Sequence, residues 1–502
     1  MKRLLIFVHR WLGVALCLLF LIWFPSGIGM MYWGFPDVTP ADVLKRSPAL
    51  DPGTIRLSPA EAYANFGTDE PPPAVTLNTF DGRPVYRFNE GLVYADTGEE
   101  PGEVSTLTVR RIASAWTGLP SQEADIERLE EVDQWTVQQN FRNLSPVWKF
   151  SWPNGEQVYV SQALGEVVQY TTTASRLGAY LGPIPHWFYI TPLRKHGPEW
   201  SRVVVWSSGI GTVAAILGVV VGAWMYSPSR RYRRDGAPSG IPYRGQKRWH
   251  MVLGLVFGIA TITWAFSGML SMDPFPIGGG GGGGAESPNI PQALRGRAPL
   301  AAFDAKTPRD ALAQLAGLRV TQLETMSFAG DPFYMATLAD GTTRIVPLDG
   351  EPRTGFDRQR ILDVVTAAGA PGMVEARTIE QYDRYYLDRN RRRPLPVILA
   401  QVNDADDTRY YIDPRTARIV GQYNNGDWAS RWLYNGLHSF NFPWLYNYRP
   451  LWDIVVIAFM LGGTALSVTS LVLAWRVIGR RLRGAIPGAE RRRGSDDLAL
   501  AE

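Results

Sequence analysis

The chain has 502 residues, of which 45% are hydrophobic, and its formal net charge is +4. This length exceeds one ordinary domain, and the slight positive charge gives no reason to expect nucleic acid as a partner. The single cysteine, Cys17, lies in the first apolar segment, which excludes a disulfide framework and thiolate metal sites elsewhere in the chain.

Four uncharged apolar runs are long enough to cross a membrane, since about 20 helical residues span the roughly 30 Å of hydrocarbon. They cover residues 11–36, 203–224, 251–272 and 454–475. The first run has a basic start, but it is too long for a signal peptide and no small-residue cleavage site follows it. It therefore predicts a retained membrane anchor.

Basic residues cluster before the first run, between the second and third, and after the fourth. By the positive-inside rule, these segments and both termini are cytoplasmic, and the two long segments are external. The predicted organisation is transmembrane helix 1–36, external module 37–200, transmembrane helix 201–226, cytoplasmic basic loop 227–248, transmembrane helix 249–272, external module 273–450, transmembrane helix 451–476 and cytoplasmic tail 477–502.

The external modules have the pattern of α+β structure. Alternating strands end in the turn sequence Asp96-Thr97-Gly98, and Ser58 and Thr307 are placed as helix N-caps. A glycine run at 278–284 has no preceding strand and no following Lys-Ser/Thr pair, so it predicts a flexible linker and not a phosphate loop.

An internal repeat relates the two halves of the chain. Aligning "FVHRWLG" with "RWHMVLG" matches His9 with His250, Gly13 with Gly254 and Ser26 with Ser267, and a second offset matches His186 with His438. The chain is therefore interpreted as a tandem duplication. We expect a four-helix transmembrane bundle arranged about a pseudo-two-fold axis, carrying two α+β modules.

The histidines follow this repeat. All five, His9, His186, His196, His250 and His438, lie near ends of predicted membrane helices. The pseudo-two-fold axis brings His9 to His250 and His186 to His438, which is the geometry of two axial ligands on one haem iron. Two haems b are predicted, although a single histidine at this depth can also be an amphipathic interface residue. His196 matches Tyr448 and is interpreted as a solvent-facing loop residue.

Other residues near the histidines suit a porphyrin. Gly13 and Gly254 leave room beside the helix backbone, and Arg10, Lys247 and Arg248 are placed to bind haem propionates. Trp23 and Trp264 recur between the two histidine layers, where they either bridge electron transfer or simply pack.

A cluster in the second module is a candidate site for an anionic aromatic ligand, through charge-assisted hydrogen bonds and stacking. The alternative is a solvated strand edge. Its members are Tyr385, Tyr386, Arg391, Arg392 and Arg393.

The whole chain resembles the PepSY-associated transmembrane family, the iron-regulated PiuB-like membrane proteins. The resemblance rests on the two helix starts quoted above, on "FPSG" and "AFSG", on "VYADTGE" and "YYIDPRTARIV", and on "LHSFNFPWLY". It implies a bacterial inner-membrane protein with periplasmic PepSY modules, and it implies His9, His250, His186 and His438 as haem ligands. The chain departs from the family pattern in its glycine linker and in Arg415 and Ala417, where a turn glycine is usual.

These patterns predict a haem-containing oxidoreductase that passes electrons across the membrane to a periplasmic acceptor, and the resemblance implies that it is a ferric-siderophore reductase. No dinucleotide fingerprint is present, so an external donor is expected, either quinol or a flavoprotein. The alternatives are a PepSY-type anchored binding or regulatory protein without redox activity, and a siderophore permease. Membrane lipid is an expected partner, and the oligomeric state is left open, with a homo-oligomer among the alternatives.

Overall fold

The computed structural model describes residues 1–66, 74–89, 91–234, 237–275, 289–370, 372–388 and 390–484. The predicted glycine linker at 278–284 and residues 485–502 of the predicted tail lie outside these ranges. The chain divides into two compact units. The helical unit comprises Met1–Phe35, Leu177–Pro276 and Ala429–Glu502, and the sheet unit comprises Pro36–Arg176 and Ile277–Trp428.

Four of the helices are long and the others are short. In chain order they are α1 Lys2–Tyr32, α2 Pro40–Arg46, α3 Pro59–Tyr63, α4 Thr106–Thr117, α5 Thr173–Leu181, α6 Pro183–Trp187, α7 Thr191–Arg194, α8 Gly197–Met225, α9 Gly245–Leu270, α10 Ile290–Arg295, α11 Pro308–Ala313, α12 Arg358–Gly369, α13 Leu437–Ser439, α14 Pro443–Tyr446 and α15 Leu451–Gly484.

Most strands belong to the sheet unit. They are β1 Val75–Phe80, β2 Arg83–Arg87, β3 Leu92–Tyr94, β4 Asp125–Leu129, β5 Val147–Ser151, β6 Gln157–Ser161, β7 Glu166–Thr171, β8 Tyr232–Arg234, β9 Ala237–Ser239, β10 Val320–Phe328, β11 Asp331–Leu338, β12 Thr343–Pro347, β13 Met373–Ile379, β14 Val397–Val402, β15 Arg409–Asp413 and β16 Arg418–Tyr423. Strands β8 and β9 form a two-stranded sheet in the helical unit.

The four predicted membrane segments are confirmed as helices that are long and apolar enough to cross a membrane: α1, α8, α9 and α15. They indicate a membrane protein. Helix α1 packs against α8 and α15, and α9 packs against the same two helices, so α1 and α9 lie at opposite corners of the bundle. The helices that contain His9 and His250 are therefore diagonal neighbours in the bundle.

The sheet unit combines both predicted modules in one structure. Its six-stranded antiparallel sheet has the order β12-β11-β10-β1-β2-β3, so each half of the chain contributes three strands. The joint is the pair β1 and β10, in which Leu77 lies opposite Leu323. Each half also keeps its own four-stranded sheet, β4-β5-β6-β7 and β13-β14-β15-β16. The α+β prediction is met, but the two segments fold together, because each needs the other's strands to complete its sheet.

Local chemistry explains several boundaries in the sheet unit. Ser58 and Thr307 both cap helices as predicted, each accepting the backbone N–H three residues on. In the hairpin of β15 and β16, Ala417 adopts φ +54°, where the equivalent residue of the first half, Gly165, adopts φ +62°. The turn after Asp413 therefore forms despite the missing glycine, and its Ala417 N–H donates to the Asp413 carbonyl at 2.8 Å.

Candidate functional site

Two histidines from diagonal helices face each other in the helical unit. The rings of His9 on α1 and His250 on α9, called the His9 pair, have centroids 6.2 Å apart and an interplanar angle of 35°. His9 Nδ1 lies 3.0 Å from the carbonyl oxygen of Ala214 on α8. A carbonyl can only accept, so Nδ1 of His9 carries the proton.

The second ring of this pair is fixed by helix α15. His250 Nδ1 lies 3.2 Å from the Thr469 hydroxyl and 3.3 Å from the Ser470 hydroxyl. Both hydroxyls donate their own hydrogen to the Leu466 carbonyl, at 2.7 and 2.9 Å. They therefore accept from His250, whose Nδ1 is also the protonated nitrogen.

A second pair lies where short helices precede the long ones. His186 on α6 and His438 on α13, called the His186 pair, have ring centroids 6.0 Å apart and an interplanar angle of 70°. Their Nδ1 atoms lie 3.1 Å from the hydroxyls of Ser26 and Ser267, respectively. The sequence segments 177–200 and 429–450, predicted as parts of the external modules, thus belong to the helical unit.

The two serines play the same part in the two halves. The Ser26 hydroxyl donates to the Trp23 carbonyl at 3.0 Å, and that of Ser267 donates to the Thr263 carbonyl at 2.6 Å. Each serine thus accepts from its histidine. Burial lowers the pKa of His186 to about 3 and that of His438 to about 4, so both rings are neutral at pH 7. In all four histidines Nδ1 makes the hydrogen bond, and Nε2 keeps its lone pair.

Each pair lies in a cavity. The His9 cavity has a volume of about 370 Å³ and the His186 cavity about 250 Å³. The two cavities have three lining residues in common, Phe20, Phe24 and Thr261. Ser26 follows His9 by 17 residues on α1, so a rise of about 1.5 Å per residue separates the two layers by roughly 25 Å.

The glycines around the His9 pair differ in what surrounds them. Gly13 and Gly254 both line the His9 cavity. A Cβ atom on Gly13 would meet nothing within 4 Å, and one on Gly254 would meet only Leu466 Cδ1 at 3.9 Å. A Cβ on Gly218 of α8, in contrast, would lie 2.7 Å from His9 Cε1. The first two glycines leave open space, whereas Gly218 makes room for the imidazole.

The cations near the His9 pair are partly those that the sequence indicated. Arg10, Lys247 and Arg480 line the His9 cavity. Arg248 does not line it, because its Nη1 is directed at the Ser239 hydroxyl of the β8 and β9 hairpin, at 3.4 Å. Arg480 replaces it as the third cation.

Aromatic residues line the His186 cavity, including the repeated Trp23 and Trp264. Tyr434 also lines it and stacks on the His438 ring, with centroids 5.4 Å apart and an interplanar angle of 29°. Tyr434 belongs to a π-helix, Ala429–Gly436, a rare element that often marks functional sites. His196 is exposed before α8 and lines neither cavity, in agreement with its interpretation as a loop residue.

The five candidate substrate residues of the second module lie in the sheet unit, but their exposure differs. Tyr386 is fully buried, stacks on Tyr411 and donates its hydroxyl to the Pro394 carbonyl. Arg393 Nη1 donates to the Tyr423 hydroxyl at 2.8 Å. Tyr385 packs against Tyr423, and Arg391 and Arg392 are exposed. Tyr386 is therefore a core residue, because the whole ring surface that a ligand would stack on is covered.

The repeat in the sequence predicts the four imidazoles. It also matches Ser26 with Ser267, but it does not predict that these serines accept hydrogen bonds from the histidines. No motif contains three further residues beside the imidazoles, namely Thr469, Ser470 and Gly218. The carbonyl of Ala214 leaves no sequence signal at all, since every residue carries a carbonyl.

Within the described residues, no group of three or more His, Cys, Asp or Glu side chains could hold a metal ion. No family model matches the chain, and no curated protein matches it significantly. The resemblance to the PepSY-associated family stays a prediction.

Proposed function

We propose that this protein is a di-haem membrane oxidoreductase of the bacterial inner membrane, which passes electrons from the cytoplasmic side or the quinone pool to a periplasmic ferric siderophore. The observation that carries the proposal is the pair of histidine layers at two levels of a bundle of four membrane-length helices. The resemblance to PepSY-associated proteins points the same way.

The spacing of the rings supports axial ligation. If both rings of a pair bound one metal ion through Nε2, at about 2 Å each, their centroids would lie about 6 Å apart. The His9 pair is at 6.2 Å and the His186 pair at 6.0 Å.

The remaining residues also fit a porphyrin. Gly13 and Gly254 leave open space beside the His9 pair, and the three cations of that cavity, Arg10, Lys247 and Arg480, are available to carboxylates. The Nδ1 hydrogen bonds fix the ring orientation and raise the basicity of Nε2. When bound, haem supplies one-electron redox chemistry between its ferric and ferrous forms.

The chain's own residues then have three tasks. The four imidazoles hold the two groups at fixed levels, the apolar helices exclude water from the layers, and the shared wall of Phe20, Phe24 and Thr261 keeps the layers adjacent. Each electron delivered to a ferric siderophore converts one Fe³⁺ to Fe²⁺, which hard oxygen ligands hold less tightly. The electron comes from a quinol or a reduced flavoprotein.

Absorption and electron paramagnetic resonance spectra of the purified protein test this proposal. We expect a reduced b-type α-band and two low-spin ferric signals, with the larger g-anisotropy from the His186 pair because its rings are closer to perpendicular. His9→Ala should remove one signal and His186→Ala the other, while His196→Ala serves as the matched control and keeps both.

A protein that takes up no haem when expressed with an ample haem supply would contradict the proposal and favour an anchored binding protein. Retention of both signals in His9→Ala or in His186→Ala would contradict the ligand assignment.

A further inference from the structure

A buried arginine lies beside the His186 cavity. Arg194, the last residue of α7, is only 8% exposed. Its guanidinium carbon lies 5.0 Å from the ring centroid of Tyr189 and 4.3 Å from that of Trp200. Both rings line the His186 cavity. The charge is thus separated from that cavity by at most one layer of side chains.

The guanidinium has hydrogen-bond donors to spare. Nε and Nη1 of Arg194 are both buried and have no hydrogen-bond partner. Two other arginines of the helical unit have carboxylate partners, since Arg202 pairs with Glu199 and Arg449 pairs with Asp453. Buried guanidinium N–H groups are normally satisfied, because an unpaired charge away from water is strongly unfavourable.

Comparison with the second half of the chain shows that the fold does not need this charge. Helix α14 is equivalent to α7 and ends at Tyr446, which packs edge-on against Trp452. In both halves the tryptophan after this short helix donates its ring N–H to a backbone carbonyl, Trp200 to Trp187 and Trp452 to Ser439. A neutral side chain therefore supports the same local structure, and the charge of Arg194 has a purpose specific to the first half.

The two cavities differ in the cations that line them. Three cations line the His9 cavity, whereas no Lys or Arg is among the described residues lining the His186 cavity. A cation stabilises the carboxylate side chains of a bound macrocycle through charge-assisted hydrogen bonds. We infer that Arg194 binds a carboxylate of the group held by His186 and His438, namely a haem propionate. This inference rests on the proposed function.

Thermal unfolding of the full-length protein, produced with and without haem, separates two roles of Arg194, namely binding a propionate and packing by cation–π contacts. In Arg194→Met the haem-free protein should unfold at the same or a higher temperature than wild type, because an unpaired buried charge is gone. The haem-loaded variant should unfold at a lower temperature than loaded wild type. Arg202→Met, at an exposed site on α8, is the control and should change neither. Equal destabilisation with and without haem would overturn the inference and leave cation–π packing as the only role.

A second arm identifies the carboxylate. Arg194→Met should weaken retention of haem b at the His186 pair about tenfold, but it should leave retention of haem b dimethyl ester unchanged, because the ester lacks the charged propionates. The signal of the His9 pair is the internal reference. An equal loss with both haems would show that Arg194 acts on something other than a propionate, such as a lipid phosphate, and would overturn the inference. Wild type that binds neither haem would overturn the proposed function, and this inference with it.

Discussion

The histidines of this chain share a detail that decides their chemistry, the hydrogen bond at Nδ1. Three kinds of acceptor, a backbone carbonyl beside His9, two hydroxyls beside His250 and one serine beside each remaining ring, have the same effect on the proton. The repeat in the sequence was sufficient to pair the imidazoles. It could not reveal which nitrogen each ring presents, because that depends on helix packing across the bundle.

Gly218 offers a test at the level of one methyl group. A Cβ at this position would lie 2.7 Å from His9 Cε1, so Gly218→Ala should displace the ring and break its hydrogen bond to Ala214. We expect the low-spin signal of the His9 pair to be lost while that of the His186 pair remains, as measured by electron paramagnetic resonance.

The matched control is Gly222→Ala, one turn further along α8 and in the wall of the same cavity. Its Cβ would approach only the Leu255 side chain, at 3.2 Å from Cδ2 and 3.5 Å from Cγ, and the flexible end of a leucine can move. If Gly222→Ala removed the signal as completely as Gly218→Ala, contact with the His9 ring would not be the cause.

At the scale of elements, the two halves of the chain contain the same hydrogen bond at equivalent positions. In each half a buried tyrosine of a four-stranded sheet donates to an aspartate at 2.7 Å, Tyr159 to Asp133 and Tyr411 to Asp383. Sequence alignment of the two halves matches Tyr159 with Tyr411 and Asp133 with Asp383. It did not show that they touch, because the contact joins a loop to a strand that lies more than twenty residues away.

Removing these hydroxyls should destabilise the sheet unit. A hydrogen bond to a charged group contributes about 1.5 to 3 kcal/mol. Tyr411→Phe should lower the free energy of unfolding by an amount in this range, and Tyr159→Phe by less, because Lys149 still lies 3.4 Å from Asp133. Denaturant unfolding of the full-length protein measures both, with the exposed Tyr448→Phe as control. A larger loss in Tyr159→Phe than in Tyr411→Phe would contradict this account.

Tyr159 and Tyr411 also predict how the stability of the fold depends on pH in the alkaline range. Burial, reinforced by the neighbouring aspartates, raises the pKa of Tyr159 and of Tyr411 above the ordinary value of about 10. The folded protein keeps both phenols protonated while the unfolded chain releases their protons, so their stabilising contribution is complete below pH 10 and declines as pH rises above it. The decline should be shallower in the variant with both tyrosines changed to phenylalanine.

At the scale of the whole molecule, the sequence predicted the four long helices, the α+β character of the rest and the pairing of the histidines. Those features follow from hydropathy, turn chemistry and the repeat. It did not predict that segments 177–200 and 429–450 join the helices, since their short helices are aromatic and only weakly patterned. Nor did it separate Arg248 from Arg480, because which of two nearby cations reaches a cavity depends on the hairpin of β8 and β9.

Electron transfer across a bilayer tests the whole arrangement. The protein is placed in the membrane of sealed vesicles, with a reductant inside and a ferric siderophore outside as the electron acceptor. Wild type should reduce the siderophore iron. His9→Ala and His186→Ala should each abolish this, because the two layers lie roughly 25 Å apart and neither alone spans the hydrocarbon. Ferrous iron captured by a chromogenic chelator is the measurement. Undiminished reduction in either variant would contradict a route through both layers.

The junction of β1 with β10 also governs how the protein is made. Roughly 240 residues separate the end of β1 from the start of β10, and at about 5 to 20 residues per second their synthesis takes roughly 10 to 50 s. During that interval the first three strands have an open edge, and open edges pair readily with foreign strands. A newly made amino-terminal half therefore exposes the edge of β1 until the second half is made, and we expect neither half to fold well when it is expressed separately.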